Sequence, residues 1–411
     1  MKNRHFIVGL ILLIFFVISF LTNILGPLIP DIIDSFDLSL GLAGFLPFAF
    51  FVAYGVMSIP SGMLIEKYRE KKMMVVAFGL AAVGAFLFGI VPTFPVAMIS
   101  LFLIGSGMAM LQVAINPLLR EAGGEEHFAF NSVLGQLAFG LASFISPMIY
   151  TYLVGNMFKR GNPDGLIAIM EGLVPEGLSW VSLYWVFALV SLLMVAVIFF
   201  SKLPEVELTE DERAGSWQIH KELLRNKTVL LFFFGIFCYV GVEQGVANWM
   251  SQYLFETHGY DPQSSGASAV SWFWGLLTLG CVLGLALLKV MDAQKVLMYF
   301  TLAAAISLTI GLFGPREWAY WGFPMVGFFA SVMWSVIFSL ALNSIKEHHG
   351  SFSGILCTGI VGGAIMPLIV GTLGDWIGLR GGMGFLYFPL GFIFSIGIWA
   401  EPLVKNKTIN N

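Results

Sequence analysis

Three polar side chains lie close together in the otherwise apolar stretch CYVGVEQGVANWMSQYL, residues 238–254: Glu243, Gln244 and Asn248. An ionisable or polar group at bilayer depth must find a partner or lose its charge, so such groups are rare there and mark functional sites. Glu243 is the only carboxylic acid that we place near the centre of an apolar segment. It could take up and release a proton, form part of a cation site, or act as a protonated hydrogen-bond donor.

Amide side chains occur as two pairs at four-residue spacing: Gln112 with Asn116, and Gln244 with Asn248. Residues four apart share one face of a helix, so each pair can face one cavity. Each amide both donates and accepts hydrogen bonds, which matches an uncharged ligand whose hydroxyls do the same. The pairs therefore favour a sugar or polyol as ligand. The competing interpretation is that these amides bond one helix to another.

Four further amides could join the two pairs: Asn23, Asn131, Gln136 and Asn343. Asn131 and Gln136 lie about 140° apart on a helix of about 3.6 residues per turn. We therefore do not expect both of them to face the same ligand.

Tryptophans supply the apolar surface on which the C–H face of a sugar ring can stack. Four tryptophans lie within or near the apolar segments of the C-terminal half: Trp249, Trp272, Trp274 and Trp334. Of these, Trp249 and Trp334 are our candidates for this contact. Aromatic belts at the membrane interface explain tryptophans near segment ends, but not one in the middle of a span. Ordinary packing is the alternative for both residues.

Composition identifies the class of protein in which these residues act. Hydrophobic residues make up 58% of the chain and charged residues 11%, against roughly 25% charged in a soluble domain. A helix that crosses the bilayer needs about 20 apolar residues. By this criterion the sequence predicts an all-α polytopic membrane protein with twelve transmembrane helices, near residues 6–30, 41–65, 73–92, 95–119, 127–155, 180–201, 228–256, 264–289, 295–314, 317–345, 352–376 and 382–403.

The basic residues predict the orientation. All Lys and Arg except Lys159, Arg160, Arg316 and Arg380 fall on the side of the N-terminus, so both termini are expected in the cytoplasm.

The charged stretch 202–227 divides the chain into an N-terminal six-helix bundle, 1–201, and a C-terminal one, 228–411. The segment ASFISPMI, residues 142–149 of the first bundle, resembles GGAIMPLI, residues 362–369 of the second. Repeated halves of this kind indicate a transporter with its site between them.

Other functional classes fit the sequence less well. All six histidines lie at span ends or in loops, so the sequence offers no metal or nucleophile constellation at membrane depth. We expect neither an enzyme nor a metal site. No Lys or Arg lies in the middle of a span, which disfavours anionic substrates. The three cysteines are far apart in apolar segments and are expected to be packing residues.

Several stretches resemble known transporters. The loop SGMLIEKYREKKMM resembles the characteristic loop motif of the major facilitator superfamily. LQVAINP, YVGVEQGVANWMSQYL, IFSLALNSIKEHHGSFSGIL and GIVGGAIMPLIVG resemble the superfamily's fucose-galactose-glucose symporter family, in the same order along both halves. The resemblance implies the major facilitator fold and alternating access.

The resemblance also bears on individual positions. Gln112 stands where fucose-type members have Glu, which favours the glucose and galactose branch. Asn131 matches an Asn in a sugar-contacting region, and Trp334 stands where an aromatic residue is common. Gly26 stands where the family usually has an Asp that is a leading candidate for proton coupling. Glu243 could replace that Asp, sodium could replace the proton, or transport could be uncoupled.

The sequence thus predicts a hexose transporter of the bacterial inner membrane, coupled to a proton or sodium ion. Asn23, Gln112, Asn116, Asn131, Gln244 and Asn248 would bind hydroxyls, Trp249 or Trp334 would stack on the ring, and Glu243 would couple. We expect no cofactor besides the ion, no nucleic-acid partner, and a monomer in the lipid bilayer. An uncoupled facilitator, a symporter for fucose, an amino sugar, a polyol or a nucleoside, and a drug or solute exporter remain alternatives.

Overall fold

The computed structural model describes residues 4–123, 128–159, 165–203 and 217–403, which are helical with short connections and contain no strand. The α-helices in chain order are α1 (Arg4–Thr22), α2 (Leu25–Phe36), α3 (Leu40–Ala43), α4 (Phe45–Tyr68), α5 (Glu70–Ile90), α6 (Phe94–Gly123), α7 (Phe128–Asn156), α8 (Gly165–Leu173), α9 (Ser182–Phe200), α10 (Trp217–Leu223), α11 (Lys227–His258), α12 (Ala267–Leu287), α13 (Ala293–Phe313), α14 (Arg316–Ala330), α15 (Met333–Leu342), α16 (His349–Thr358), α17 (Gly362–Gly384) and α18 (Tyr387–Trp399).

Eleven helical segments in the described ranges are long and apolar enough to cross a membrane, where the sequence predicts twelve. The difference arises at the C-terminal end, where one continuous segment, His349–Trp399, covers both of the last two predicted spans. This segment has 51 residues, roughly 77 Å of straight helix at about 1.5 Å per residue, against ~30 Å of hydrocarbon. Its backbone leaves the helical conformation at Gly378, where φ is 79°.

Successive spans run in opposite directions, so the helix ends gather on two sides of the bundle. We call the side where α1 begins the basic side, because Lys67, Lys71, Lys227, Lys289 and Lys346 lie at helix ends there. The other side, where α2 and α11 end, is called the opposite side.

A proline sets the break between α1 and α2. Pro27 has no N–H to donate to the carbonyl of Asn23, four residues earlier, and its ring crowds that carbonyl. The helix is interrupted at Asn23 and Ile24 and resumes at Leu25. The interruption leaves Asn23 in the interior of the bundle, where its side chain is 4% exposed.

The chain before residue 204, the first half, meets the chain after residue 216, the second half, closely on the opposite side. Helix α2 packs on α11, α3 on α17, and α7 on α12. At Gly26 the backbones of α2 and α11 approach so closely that a Cβ atom would collide with the carbonyl oxygen of Ala247. The two halves are therefore in tight contact there.

Hydrogen bonds join the two halves at this contact. Gln263 donates from Nε2 to Asp31 Oδ1 at 3.0 Å, and its carbonyl accepts from Thr151 Oγ1 at 2.8 Å. The Asp375 carboxylate accepts from the backbone N–H groups of Leu40 at 2.9 Å and Gly41 at 2.8 Å. These bonds close the opposite side of the interface.

Replacing Asp375 with Ala should loosen this closure. Hydrogen bonds to a charged group contribute about 1.5–3 kcal/mol, so their loss should lower the closed population by roughly tenfold or more. Spin labels on Cys introduced at the exposed positions Asp34 and Thr257, in a background without the native cysteines, would report the separation of the halves. We expect the distance between the labels to increase in Asp375→Ala. It should stay unchanged in the control variant Glu317→Ala, which removes an exposed carboxylate from the same side. Identical distance distributions in both variants would contradict a role for Asp375 in the closure.

Candidate functional site

A cavity lies between the two halves, in the middle of the spans. The first half contributes Asn23, Gln112 and Gln136 to its wall, and the second half contributes Glu243, Gln244 and Trp334, among others. Its volume is about 130 Å³, well above the roughly 10–15 Å³ that a cavity needs to hold one water molecule. The structure thus brings together amides that are distant in the sequence.

Asn23 connects the halves across the cavity. Its Nδ2 donates to Ser143 Oγ at 2.9 Å, and its Oδ1 lies 3.5 Å from Gln244 Nε2, a long hydrogen bond. A bond of that length is weak. A ligand hydroxyl can therefore replace it at little energetic cost.

Gln244 is held in place by the second member of its predicted pair. Asn248 donates from Nδ2 to the Gln244 carbonyl at 2.8 Å and to Gln244 Oε1 at 3.2 Å. Asn248 is buried and does not belong to the cavity wall in the described structure. Its contact with the cavity is through Gln244, whose side chain it orients.

Glu243 faces the cavity and has two hydrogen-bond donors of its own half. The Tyr239 hydroxyl donates to Glu243 Oε2, and Gln244 Nε2 donates to Oε1 at 3.3 Å. The described residues that line the cavity include no Lys, Arg or His. The wall therefore supplies no permanent positive charge to this carboxyl group.

Aromatic side chains form a second part of the wall. Trp334 has its ring centroid 6.1 Å from that of Tyr239 and stacks on Phe338 at 5.7 Å with an interplanar angle of 22°. Tyr54 and Trp274 also line the cavity, and the sequence analysis did not select them. Trp274 is 2% exposed, and its Nε1 is a buried donor without a partner in the described part of the chain.

Two of the remaining predicted site residues, Asn131 and Trp249, lie away from the cavity. Asn131 and Trp249 are buried outside the described cavity wall, and the Trp249 indole N–H donates to the Pro367 carbonyl at 2.9 Å. The side chain of Asn116 lies outside the described residues. Gln136 lines the cavity, whereas Asn131, which the sequence analysis selected as a hydroxyl ligand, does not. The 140° between them places the two side chains on different faces of α7.

A second cavity continues from the first toward the basic side. Both are lined by Gln136, Thr278, Ser331, Trp334 and Ser335, and the second one, of about 540 Å³, reaches Leu288 and Asn343 at the ends of their helices. In this structure the central cavity therefore extends toward the basic side, while the hydrogen bonds described above close the opposite side.

Comparisons with known proteins agree with this architecture. A model of the Major Facilitator Superfamily matches residues 11–360. A glucose/galactose transporter of Brucella abortus is 32% identical over 384 residues, which cover 92% of this chain and 90% of that protein. The L-fucose-proton symporter of Escherichia coli is 24% identical over 92% of the chain and 89% of its own length. The crystal structure of a variant of the E. coli fucose:proton symporter superposes with a TM-score of 0.70 at 22% identity, over 97% of this chain and 99% of that one.

Proposed function

We propose that this chain, which belongs to the Major Facilitator Superfamily, transports a hexose of the glucose and galactose type. Membership of this superfamily makes it a multi-pass membrane transporter and not an enzyme. The resemblance of its motifs to the fucose-galactose-glucose symporters is confirmed by its sugar-transporting relatives.

One observation carries the proposed substrate. The central cavity combines amides from both halves with the Trp334 and Trp274 side chains, and its described wall has no basic side chain. Amides match neutral hydroxyl groups, and a site built to bond such groups discriminates strongly against analogues that lack them. Gln112, in place of the Glu of fucose-type members, supports glucose or galactose over fucose.

The proposed topology has twelve crossings, with the segment His349–Trp399 crossing twice around Gly378 and both termini in the cytoplasm. The basic side is then the cytoplasmic side, in keeping with the positive-inside rule. Residues 1–201 and 228–411 form the two bundles, joined by the cytoplasmic loop 202–227. The protein acts as a monomer in the cytoplasmic membrane.

The proposed mechanism is alternating access, in which the two bundles rock about the central cavity. The hydrogen bonds of Asp31, Gln263 and Asp375 then hold the outer side closed while the second cavity leads to the cytoplasm. In the outward-facing state these bonds break and the inner side closes. Glu243 couples the movement to a proton or a sodium ion.

Counterflow tests the proposed substrate without an ion gradient. Proteoliposomes are preloaded with unlabelled D-glucose, D-galactose or L-fucose and diluted into labelled D-glucose. We expect transient accumulation of label with glucose or galactose inside, because counterflow needs only binding and alternating access. Absence of label uptake by folded protein would remove the hexose assignment and leave the fold unaffected.

Replacing Gln112 or Gln244 with Ala should abolish most of this transport. Each change leaves ligand hydroxyls and buried polar groups unpaired, at about 1–3 kcal/mol, so hexose affinity should fall roughly 5- to 150-fold. Gln294→Ala is the matched control, since Gln294 bonds the Ala400 carbonyl away from the cavity. Affinities are measured by equilibrium binding in detergent, with thermal unfolding as the test of folding. Unchanged affinity in both cavity variants would remove these amides from the site.

A further inference from the structure

One face of α15 and its preceding turn carries polar side chains at four-residue intervals. Ser331, Ser335, Ser339 and Asn343 all line the second cavity, and we call them the α15 track. Ser335 and Ser339 are exposed, whereas Val336, Ile337 and Leu340 between them are buried. Because residues four apart lie above one another on a helix, the track forms a continuous polar line from the central cavity toward the cytoplasmic side.

An aromatic face runs beside the track. Trp334 and Phe338 are also four residues apart, stack on each other at 5.7 Å and line the second cavity. Hydroxyl and amide groups next to a stacked ring pair repeat the chemistry of the central cavity. They suit a ligand with hydroxyl groups on its edge and an apolar face.

A buried polar atom at the junction of the two cavities lacks a partner. Ser331 lines both cavities and is 4% exposed, and its Oγ makes no hydrogen bond to any described residue. The Ser331 Oγ is enclosed beside Gly280 of α12, so the exposed Ser335 and Ser339 are the hydroxyl side chains that a ligand in the second cavity would meet. A lipid acyl chain, which has no hydrogen-bonding groups, would offer no partner to the exposed serines of the track.

We infer that the second cavity is a separate, weaker hexose-binding subsite, which receives the sugar from the central cavity and releases it to the cytoplasm. Trp334, which lines both cavities, provides one surface along which the sugar passes. This inference rests on the proposed function. It adds a second binding event to the transport cycle, with Ser339, Asn343 and Phe338 as residues that belong to the second cavity alone.

The number of hexoses bound per chain tests the subsite. The full-length protein in detergent is titrated with labelled D-glucose and D-galactose by equilibrium dialysis, and we expect a tight site and a weaker second one. Ser339→Leu with Asn343→Leu should remove the weaker site, leave the tight affinity within about twofold and slow counterflow by about tenfold. Phe338→Ala is an independent test of the same subsite, because it removes an aromatic ring from the second cavity, whereas the two leucines add bulk to it. Ala286→Leu, an exposed position on α12 outside the cavity wall, is the control.

Each outcome decides between the proposals. The inference is supported if the second site is lost both in the double variant Ser339→Leu with Asn343→Leu and in Phe338→Ala, while the tight site stays intact. A single site in the wild-type protein, or a second site that survives both variants, overturns the subsite and leaves hexose transport standing. Binding of neither sugar overturns both proposals. Slower counterflow with a single site would mean that the track affects only the motion of the helices, which also rejects the subsite.

Discussion

Glu243→Gln is expected to abolish ion-driven accumulation of hexose and to preserve counterflow. The substitution keeps the shape of the side chain and an oxygen that can accept the Tyr239 hydroxyl. It removes the charge that a coupling ion must neutralise. In the coupled wild-type protein, a tenfold ion gradient supplies about 1.4 kcal/mol and so supports about tenfold accumulation with one ion per sugar. The variant should only equalise the concentrations on the two sides.

The measurement is uptake of labelled hexose into proteoliposomes under an imposed proton gradient and, separately, a sodium gradient. Counterflow in the same vesicles shows whether binding and alternating access survive. Glu256→Gln is the matched control, because Glu256 lies on the same helix at its exposed end. Accumulation that persists in Glu243→Gln would assign coupling to another residue. A wild-type protein that accumulates under neither gradient would be a facilitator, with Glu243 as a hydrogen-bonding part of the wall.

The spans were the part of the fold that hydropathy could predict. An apolar run of bilayer length has few alternatives to a transmembrane helix, and ten predicted spans correspond to separate segments of the structure. The last two lie in one segment, His349–Trp399, in which the backbone leaves the helical conformation at Gly378, between the charged residues Asp375 and Arg380. The boundary that the sequence predicts between these two spans, residues 377–381, contains Gly378.

The cavity wall was predictable where a polar residue interrupts an apolar helix. Asn23, Gln112, Glu243 and Gln244 stood out for that reason, and the structure places all four in the wall. Tyr54 and Trp274 did not stand out, because aromatic residues are equally suited to packing, interface and cavity. Whether these two side chains reach the cavity depends on which face of α4 and of α12 meets the other half of the protein. That contact is tertiary and has no local signal in the sequence.

Helix geometry separates Asn131 from Gln136 but does not say which of them faces the cavity, and tertiary packing decides the role of Trp249. The 140° between Asn131 and Gln136 follows from helical periodicity alone. Trp249 follows Asn248 on α11 and points to the Pro367 carbonyl of α17, so its ring fills the interior of the second half. Its position in the middle of a polar motif suggested a ligand contact. The sequence offered no means to distinguish that contact from a structural hydrogen bond.

Gly26→Val is the second substitution with a large expected effect, and it tests the outer closure. Helix α2 crosses α11 at Gly26, where even a Cβ atom would meet the Ala247 carbonyl oxygen. A valine must therefore push the two helices apart in the state described. Overpacking of this kind costs about 1–3 kcal/mol, which would reduce the outer-closed population by roughly 5- to 150-fold. Counterflow should fall by a similar factor, because it requires both states.

The matched control lies in the same span. A Cβ atom at Gly9 would meet no atom within 4 Å, so Gly9→Val changes helix propensity in the same way without the collision. We expect Gly26→Val to retain hexose binding from the outside and to separate the spin labels at positions 34 and 257, while Gly9→Val does neither. Normal counterflow in Gly26→Val would mean that α2 and α11 need not approach this closely during transport. Because Gly26 has no side chain, α2 and α11 can approach this closely, and the acidic group in the wall of the central cavity comes from α11, as Glu243.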